Sequence, residues 1–206
     1  MSIQLKQIST DYIPYSDSDI WGSITTIEEH KLCHVYAPSG SGKTSFLKIL
    51  YQQEKNYSGS VIIDKESLID IETSKLRTSA FSIVFQDLRL IGGLTALDNV
   101  MLRADLFSIS KADVKSYFDS LSISHLMNKQ CSVMSRGELQ RVAIIRSLIG
   151  DFKYLLLDEP FSHLDSHSRE LCIKLINEHQ ERNGFSIVLC NVDQDDFFQY
   201  NQRLVL

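Results

Sequence analysis

The chain has 206 residues, of which 43% are hydrophobic and 23% charged, and its net charge at pH 7 is −5. This length supports one large domain with a buried core, and the acidic balance argues mildly against a nucleic-acid binder, which ordinarily carries a basic excess. No segment reaches the roughly 18 apolar residues of a membrane-spanning helix, and residues 1–10 lack the features of a signal peptide. We therefore expect a cytoplasmic protein that depends on another chain for any work in a membrane.

Short apolar runs alternate with segments of helical spacing along the chain. The runs predict strands at Leu32–Tyr36, Val61–Ile63, Phe81–Phe85, Tyr154–Leu157, Ile187–Cys190 and Arg203–Leu206. Because these runs are apolar without alternation, they are typical of strands covered on both faces, as in parallel sheets. The periodic segments predict helices at Thr44–Glu54, Ser135–Ile149 and Ser166–Arg182. This alternation predicts an α/β fold with a largely parallel sheet.

The middle of the chain has a different pattern. Residues 88–132 contain no convincing strand, while Thr95–Phe107 and Lys111–Leu121 have helical spacing. We therefore predict a single domain over residues 1–206, in which a small helical subdomain is inserted into the α/β core. In this division residues 1–87 and 148–206 form the core, and residues 88–147 form the helical subdomain.

The segment Ala37–Ser45, APSGSGKTS, follows the first predicted strand and opens a predicted helix. This context is typical of a phosphate-binding loop, because successive backbone N–H groups and the helix N-terminus attract phosphate. Lys43 would reach the β- and γ-phosphates, and the Thr44 hydroxyl would bind Mg²⁺. The candidate ATP-binding residues of this loop are Pro38, Ser39, Gly40, Ser41, Gly42, Lys43, Thr44 and Ser45. Ala37 departs from the usual pattern, which has glycine there.

A second motif ends the predicted strand Tyr154–Leu157. The sequence YLLLDEP delivers Asp158 and Glu159 to the carboxyl end of a buried strand, where open α/β sheets bind their ligands. Asp158 can hold Mg²⁺, directly or through water. Glu159 can orient and polarise the water that attacks the γ-phosphate.

The two motifs resemble those of P-loop NTPases, and the segment Val133–Leu148, VMSRGELQRVAIIRSL, narrows the resemblance to ABC-transporter ATPases. It is similar to the family's signature L-S-G-G-Q. Ser135 and Gly137 match that signature, whereas Arg136 replaces a glycine and Glu138 a glutamine. The order of the motifs agrees as well, and the resemblance covers nearly the whole chain. It implies a P-loop NTPase core with a mostly parallel sheet, the inserted helical subdomain and a short antiparallel β region near the N-terminus.

Three further positions are similar to family motifs. Gln86 resembles the Q-loop glutamine near Mg²⁺ and the attacking water, and Asp165 resembles the aspartate of the D-loop. Tyr12 resembles the aromatic residue that stacks on adenine, with Tyr15 as an alternative. The resemblance therefore implies ATP and Mg²⁺ as cofactors, with Asp165 and Tyr12 at the nucleotide. It implies Glu159 and Gln86 as catalytic residues, and Thr44, Gln86 and Asp158 as metal ligands.

The resemblance also implies an assembly. Two ATPase subunits, identical or different, would enclose two ATP molecules head to tail. The signature residues Ser135, Gly137 and Glu138 of one subunit would face the nucleotide held by the other. A groove near Gln86 would grip an integral membrane permease at the cytoplasmic face of the membrane. The stretch Phe85–Val100 looks most like the exporter branch that includes lipoprotein-release and macrolide-export ATPases. The transported substrate and the direction of transport stay open.

One family position is altered. A switch histidine ordinarily follows the penultimate strand, and Val192 stands there in this chain. Valine cannot hydrogen-bond to the γ-phosphate. Asn191 could take over part of the role, a partner subunit could supply the working site, or hydrolysis could be slow. The alternative function is accordingly a hydrolysis-impaired, ATP-gated binding module. A third interpretation is an ABC ATPase that acts on ribosomes or DNA. Such proteins usually carry a fused second ATPase unit or a long coiled-coil insert, and this sequence has neither.

Overall fold

The computed structural model describes residues 2–13 and 17–206. The strands are β1 (Ile3–Ser9), β2 (Ile24–Ile27), β3 (Leu32–Tyr36), β4 (Ser58–Ile63), β5 (Glu66–Ser67), β6 (Phe81–Val84), β7 (Tyr154–Asp158), β8 (Ser186–Asn191) and β9 (Gln202–Val205). The helices are α1 (Lys43–Leu50), α2 (Thr73–Lys75), α3 (Ala96–Ala104), α4 (Lys111–Ser120), α5 (Arg136–Leu148) and α6 (Ser166–Asn183). Within the described ranges, none of these helices combines the length and hydropathy that a bilayer crossing requires.

The chain forms two compact units. The first comprises the residues up to Ile83, Phe152–Glu159 and Gly184–Leu206, and the second comprises Val84–Asp151 and Pro160–Asn183. The second unit therefore includes α6 in addition to the whole segment 88–147 that the sequence predicts as a helical subdomain. The single-domain organisation stays a prediction.

A five-stranded sheet in the order β6-β7-β8-β3-β9 forms the centre of the first unit. Strand β3 pairs in parallel with both β8 and β9, and β7 pairs in parallel with β8. All five residues of β7 are buried, as the unbroken apolar run of its sequence predicts. The predicted α/β fold with a mostly parallel sheet is confirmed.

A separate four-stranded sheet has the order β2-β1-β4-β5, and β1 with β2, β1 with β4 and β4 with β5 pair antiparallel. The predicted antiparallel β region near the N-terminus is thereby confirmed. The interpretation of Val61–Ile63 as a strand of the parallel sheet is wrong, because β4 pairs with β1 here. Three residues are too few to show the alternation that the longer β4 has, in which Val61 and Ile63 are buried and Ile62 is half-buried.

Capping residues define the helices of the second unit. Thr95 and Asp98 form a capping box at the start of α3, and the Ser110 hydroxyl accepts a hydrogen bond at the start of α4. These boundaries agree closely with the sequence prediction. Helix α1 of the first unit differs, because it ends at Leu50 rather than at Glu54. Gln52 has a left-handed φ of 51°, which is incompatible with continued helix.

A polar cluster around the buried His34 in the first unit was not predicted. It consists of His34, Asn191, Asp195, Tyr200 and Arg203, and we call it the Asp195 cluster. The His34 ring is fully buried and lies on the Tyr200 ring with 4.6 Å between centroids. The Asp195 carboxylate accepts hydrogen bonds from the Tyr200 hydroxyl at 2.6 Å and from Asn191 Nδ2 at 2.8 Å. Burial by itself would raise the pKa of Asp195, but hydrogen bonds from His34, Tyr200 and Asn191 lower this pKa from 3.8 to about 2.

This lowered pKa predicts a pH-dependent contribution to stability. Because the folded carboxyl holds its proton less tightly than the unfolded one, the contribution is present above pH ~4 and is lost as the pH falls towards 2. Its size is about 2 kcal/mol. We expect Asp195→Asn to lower the free energy of unfolding by that amount at neutral pH, and the difference from wild type to shrink by about half near pH 3. Urea unfolding at several pH values measures this, and Asp70→Asn, at an exposed position of the same unit, should show no such trend. A difference that is constant with pH would contradict the prediction.

Candidate functional site

The phosphate loop (Ala37–Ser45) lies between β3 and α1 in the first unit. Gly40 and Gly42 have φ values of 84° and 96°, which only glycine adopts without strain. Helix α1 begins directly after Gly42 without a side-chain cap, so its first N–H groups are available to an anion. The position of Ala37 does not require glycine, because its φ is not positive. The replacement of the usual glycine therefore carries no backbone strain.

Lys43 is the buried cation of this loop. Its side chain is 5% exposed, and Nζ donates hydrogen bonds to the carbonyl oxygens of Ala37 at 2.7 Å and Pro38 at 2.9 Å. Nζ also lies 3.8 Å from Oε1 of Glu159. The ammonium group is thus held over the loop and close to the acidic end of β7, where a bound phosphate would meet it.

Asp158 and Thr44 form the part of the site that fits a metal ion. Asp158 is buried at the end of β7, and its Oδ2 accepts a hydrogen bond of 2.8 Å from the Thr44 hydroxyl. Its Oδ1 is also buried, with no hydrogen-bond partner within residues 2–13 and 17–206. Burial raises the pKa of the Asp158 carboxyl. A cation would satisfy the orphaned oxygen and favour the ionised carboxylate, and a hydroxyl with a carboxylate is the donor type that Mg²⁺ prefers.

Glu159 follows β7 in an unusual backbone conformation. Its φ is 47°, in the left-handed region that non-glycine residues rarely adopt. Its N–H donates to the carbonyl oxygen of Cys190 at 3.0 Å, and 18% of its side chain is exposed. Such conformations cost on the order of 1–3 kcal/mol and cluster at functional sites. The backbone therefore turns at Glu159 directly after the buried Asp158, and the carboxylate lies near Lys43.

Trp21 supports the phosphate loop and was missed by the sequence analysis. Its indole N–H donates to the Ser41 carbonyl at 3.1 Å, and its ring packs edge-on against Phe46 of α1. It is the one tryptophan of the chain. Tyr12, predicted at the adenine, is 55% exposed, and its hydroxyl lies 3.4 Å from Glu54. The alternative residue Tyr15 lies outside the described residues, and the role of Tyr12 stays a prediction.

The signature residues lie at the start of α5 in the second unit. Ser135 and Glu138 form a capping box, in which Glu138 Oε2 accepts from the Ser135 N–H at 2.7 Å. That bond lowers the pKa of Glu138, and Lys129 lies 3.3 Å from the same oxygen. A Cβ at Gly137 would approach the His163 carbonyl oxygen to 3.0 Å. Helix capping thus explains why serine and glutamate occur here, while their contact with nucleotide stays a prediction.

Two other predicted residues also belong to the second unit. Gln86 is exposed in the turn that follows β6. The Asp165 carboxylate accepts from the Ser168 N–H at 2.8 Å and from the Ser168 hydroxyl at 3.1 Å, and the backbone bond lowers the pKa of Asp165. Asp165 therefore fixes the start of α6. The catalytic and metal-binding roles of Gln86 and the nucleotide contact of Asp165 stay predictions.

The region of the altered switch position belongs to the first unit. Val192 is half-buried directly after β8. The Asn191 amide, which the sequence suggested as a substitute, donates to Asp195. Asn191 is therefore held by the Asp195 cluster in this structure.

The phosphate loop should tolerate a side chain at Gly40 better than at Gly42. A Cβ at Gly42 would lie 2.4 Å from Ile13 Cδ1 and 3.0 Å from Trp21 Cζ2, whereas a Cβ at Gly40 meets no atom within 4 Å. Both substitutions carry a backbone cost of about 1–2 kcal/mol. We expect Gly42→Ala to lose more unfolding free energy than Gly40→Ala, because only the former also overlaps its neighbours. Thermal unfolding of both variants tests this, and equal losses would contradict it.

Comparisons with known proteins agree with this geometry. The family model described as ABC transporter matches residues 23–162. The lipoprotein-releasing system ATP-binding protein LolD of Treponema denticola is 35% identical over 177 residues, which are 82% of this chain and 78% of that protein. The cell division ATP-binding protein FtsE of Bacillus subtilis is 27% identical over 209 residues, covering 98% and 91% of the two chains. The chain spans about half the length of several longer curated relatives named for import.

A solved structure extends the likeness to the fold. The dimeric structure of MJ0796, a bacterial ABC transporter cassette, has a TM-score of 0.81 at 28% identity and covers 93% of this chain and 88% of its own. Another structure of that cassette shows a post-hydrolysis state bound to ADP and Pi. The matched family model spans most of the chain and includes both the phosphate loop and the acidic end of β7. The chain therefore belongs to the ABC transporter family, as an ATP-binding subunit and Mg-ATP-dependent ATPase.

Proposed function

We propose that the chain hydrolyses Mg-ATP at a head-to-tail dimer interface and thereby drives a separate membrane permease from the cytoplasmic face. The observation that carries the proposal is the arrangement of Lys43, Thr44, Asp158 and Glu159 around the start of α1. One loop supplies a buried cation and a helix N-terminus for a triphosphate, and the adjoining strand supplies two carboxylates with different surroundings.

The roles of these residues follow from their environments. Lys43, already held over the loop, would exchange its carbonyl partners for the β- and γ-phosphates. Thr44 and Asp158 would hold Mg²⁺, which when bound neutralises charge on the phosphates. Glu159 is partly exposed beside Lys43, and its carboxylate would accept a hydrogen bond from the attacking water. Gln86 would contact the same metal and water.

The dimer is supported by the related cassette of known structure, which is dimeric. In such an assembly Ser135, Gly137 and Glu138 of one subunit would face the nucleotide of the other, together with Asp165. The N-terminal end of α5 would point its partial positive charge at the γ-phosphate. The capping box occupies the N–H groups of Ser135 and Glu138. The N–H groups of Arg136 and Gly137, which lie between them, would therefore be the donors to the phosphate.

The transport role is supported by relatives whose names place them in lipoprotein release and in import. The similarity to LolD favours the exporter branch for this chain. The partner would then be an integral membrane permease, as expected for an ATP-binding subunit of the ABC transporter family.

The test is ATP hydrolysis by the purified chain, measured as phosphate release, with dimerisation followed by sedimentation and ATP binding by Trp21 fluorescence. We expect binding that changes the fluorescence, because the indole donates to the phosphate loop. We further expect turnover that requires Mg²⁺ and dimers that form on ATP addition. A matched sample with EDTA controls for the metal. The proposal would be contradicted if the chain showed neither turnover nor ATP-dependent dimers, both alone and with a co-expressed permease.

A further inference from the structure

The end of β8 connects the two halves of the nucleotide site through its backbone. The Cys190 carbonyl oxygen accepts the Glu159 N–H at 3.0 Å, and the Asn191 carbonyl oxygen accepts the Ala37 N–H at 3.2 Å. Two successive residues of one strand thus hold the catalytic glutamate and the first residue of the phosphate loop. The position of these two carbonyls therefore sets the spacing between the loop and Glu159.

Asp195 fixes the segment in which β8 ends. Its Oδ2 accepts from Asn191 Nδ2 at 2.8 Å, and its Oδ1 accepts from the Tyr200 hydroxyl at 2.6 Å and the Phe197 N–H at 3.1 Å. Its main-chain oxygen accepts from Arg203 at 3.0 Å. With 9% of its side chain exposed, Asp195 is the common acceptor of four donors, so that these residues share one rigid arrangement.

His34 ties this arrangement to the strand of the phosphate loop. It lies on β3, three residues before Ala37, and is fully buried. Its Nδ1 lies 3.3 Å from Arg203 Nη1. Because a guanidinium only donates, Nδ1 is the acceptor and the ring hydrogen is on Nε2. Nε2 lies 3.3 Å from Asp195 Oδ2, which places the carboxylate between β3 and the segment after β8.

We propose that Asp195 is a positioning residue for ATP hydrolysis. It holds Asn191 against β3, and through the end of β8 it keeps Glu159 and the phosphate loop at a fixed spacing. The inference rests on the proposed function. Asp195 acts through other residues, so its loss should affect the rate of reaction more than the binding of ATP, which depends on Lys43 and the N-terminus of α1.

The test compares Asp195→Asn with Asp70→Asn. Asparagine at 195 has the same shape but presents a donor where a carboxylate oxygen accepted, so the Asn191 and Tyr200 donors cannot both be satisfied. Asp70→Asn removes the same charge at an exposed position of the same unit, outside the Asp195 cluster. Tyr200→Phe removes one donor and serves if the first variant folds poorly. For each protein, kcat, KM for ATP and the hydrogen exchange of the Ala37 and Glu159 amides are measured well below its unfolding midpoint.

We expect Asp195→Asn to lower kcat about tenfold with KM changed less than about twofold, since small misplacements of reacting groups have effects of this order. The Glu159 and Ala37 amides should exchange about tenfold faster, because their acceptors become mobile. Tyr200→Phe should show smaller changes of the same kind, and Asp70→Asn none. If Asp195→Asn shows wild-type kcat and wild-type hydrogen exchange of the Ala37 and Glu159 amides, whatever its thermal stability, the inference is overturned while the proposed function stands. Absence of turnover in the wild-type chain would instead contradict the proposed function and overturn the inference with it.

Discussion

Replacement of Glu159 by glutamine is expected to lower kcat for ATP hydrolysis by about 100- to 1000-fold, the usual contribution of a positioned general base. The amide has the same shape as the carboxylate but cannot accept a proton from water. Lys43 remains 5% exposed over the phosphate loop, so ATP should bind as before. With hydrolysis blocked, ATP-bound dimers should accumulate.

The measurement is single-turnover phosphate release beside sedimentation of the dimer. Glu66→Gln is the matched control, because Glu66 is an exposed glutamate on β5 of the same unit. A Glu159→Gln variant with wild-type turnover would exclude Glu159 as the base. A wild-type chain that binds ATP, dimerises and turns over no faster than the variant would instead show that hydrolysis is blocked already, as the valine at position 192 led us to consider.

Replacement of Lys43 by alanine is expected to weaken ATP binding by about 10- to 100-fold, because charge-assisted hydrogen bonds contribute about 1.5–3 kcal/mol each. The loss has one physical cause, which is that the cation that neutralises the β- and γ-phosphates disappears. The hydrogen bonds from Nζ to the carbonyl oxygens of Ala37 and Pro38, at 2.7 and 2.9 Å, do not add to it, because the wild-type lysine would give them up on binding ATP.

The titration uses the fluorescence of Trp21, whose indole N–H donates to the Ser41 carbonyl oxygen of the loop. Lys55→Ala is the control, because it removes the same charge from an exposed position in the same unit. Wild-type affinity in Lys43→Ala would show that ATP binds elsewhere. Loss of affinity in both variants would indicate a general charge effect, and lower ionic strength should then reduce it.

The sequence predicts local motifs well because their chemistry is contiguous. The phosphate loop and the acidic end of β7 each occupy a few neighbouring residues, whose backbone requirements can be deduced directly. The apolar run of β7 predicts a buried strand for the same reason. The family likeness added Ser135 and Gln86, which local chemistry alone would not have assigned to nucleotide.

Long-range contacts account for what the sequence could not show. His34 and Asp195 lie 3.3 Å apart but are separated by most of the chain, and neither belongs to a motif. Trp21 contacts Ser41 through a single hydrogen bond, which leaves no periodicity or spacing in the sequence. Strand β4 looks like any short apolar run until its partner β1 is known. In each case the missing information is which distant element lies alongside.

The left-handed backbone at Glu159 has a consequence for how variants of this chain would fare under selection. At a φ of 47°, glycine or asparagine would relieve strain on the order of 1–3 kcal/mol. A screen for thermal stability alone would therefore enrich substitutions at this position, and the enriched chains would have lost the carboxylate. Glutamate persists there only where the protein is required to work, so stability and activity oppose each other at this residue. Efforts to obtain a more robust form of the chain should leave position 159 fixed and seek their gains elsewhere.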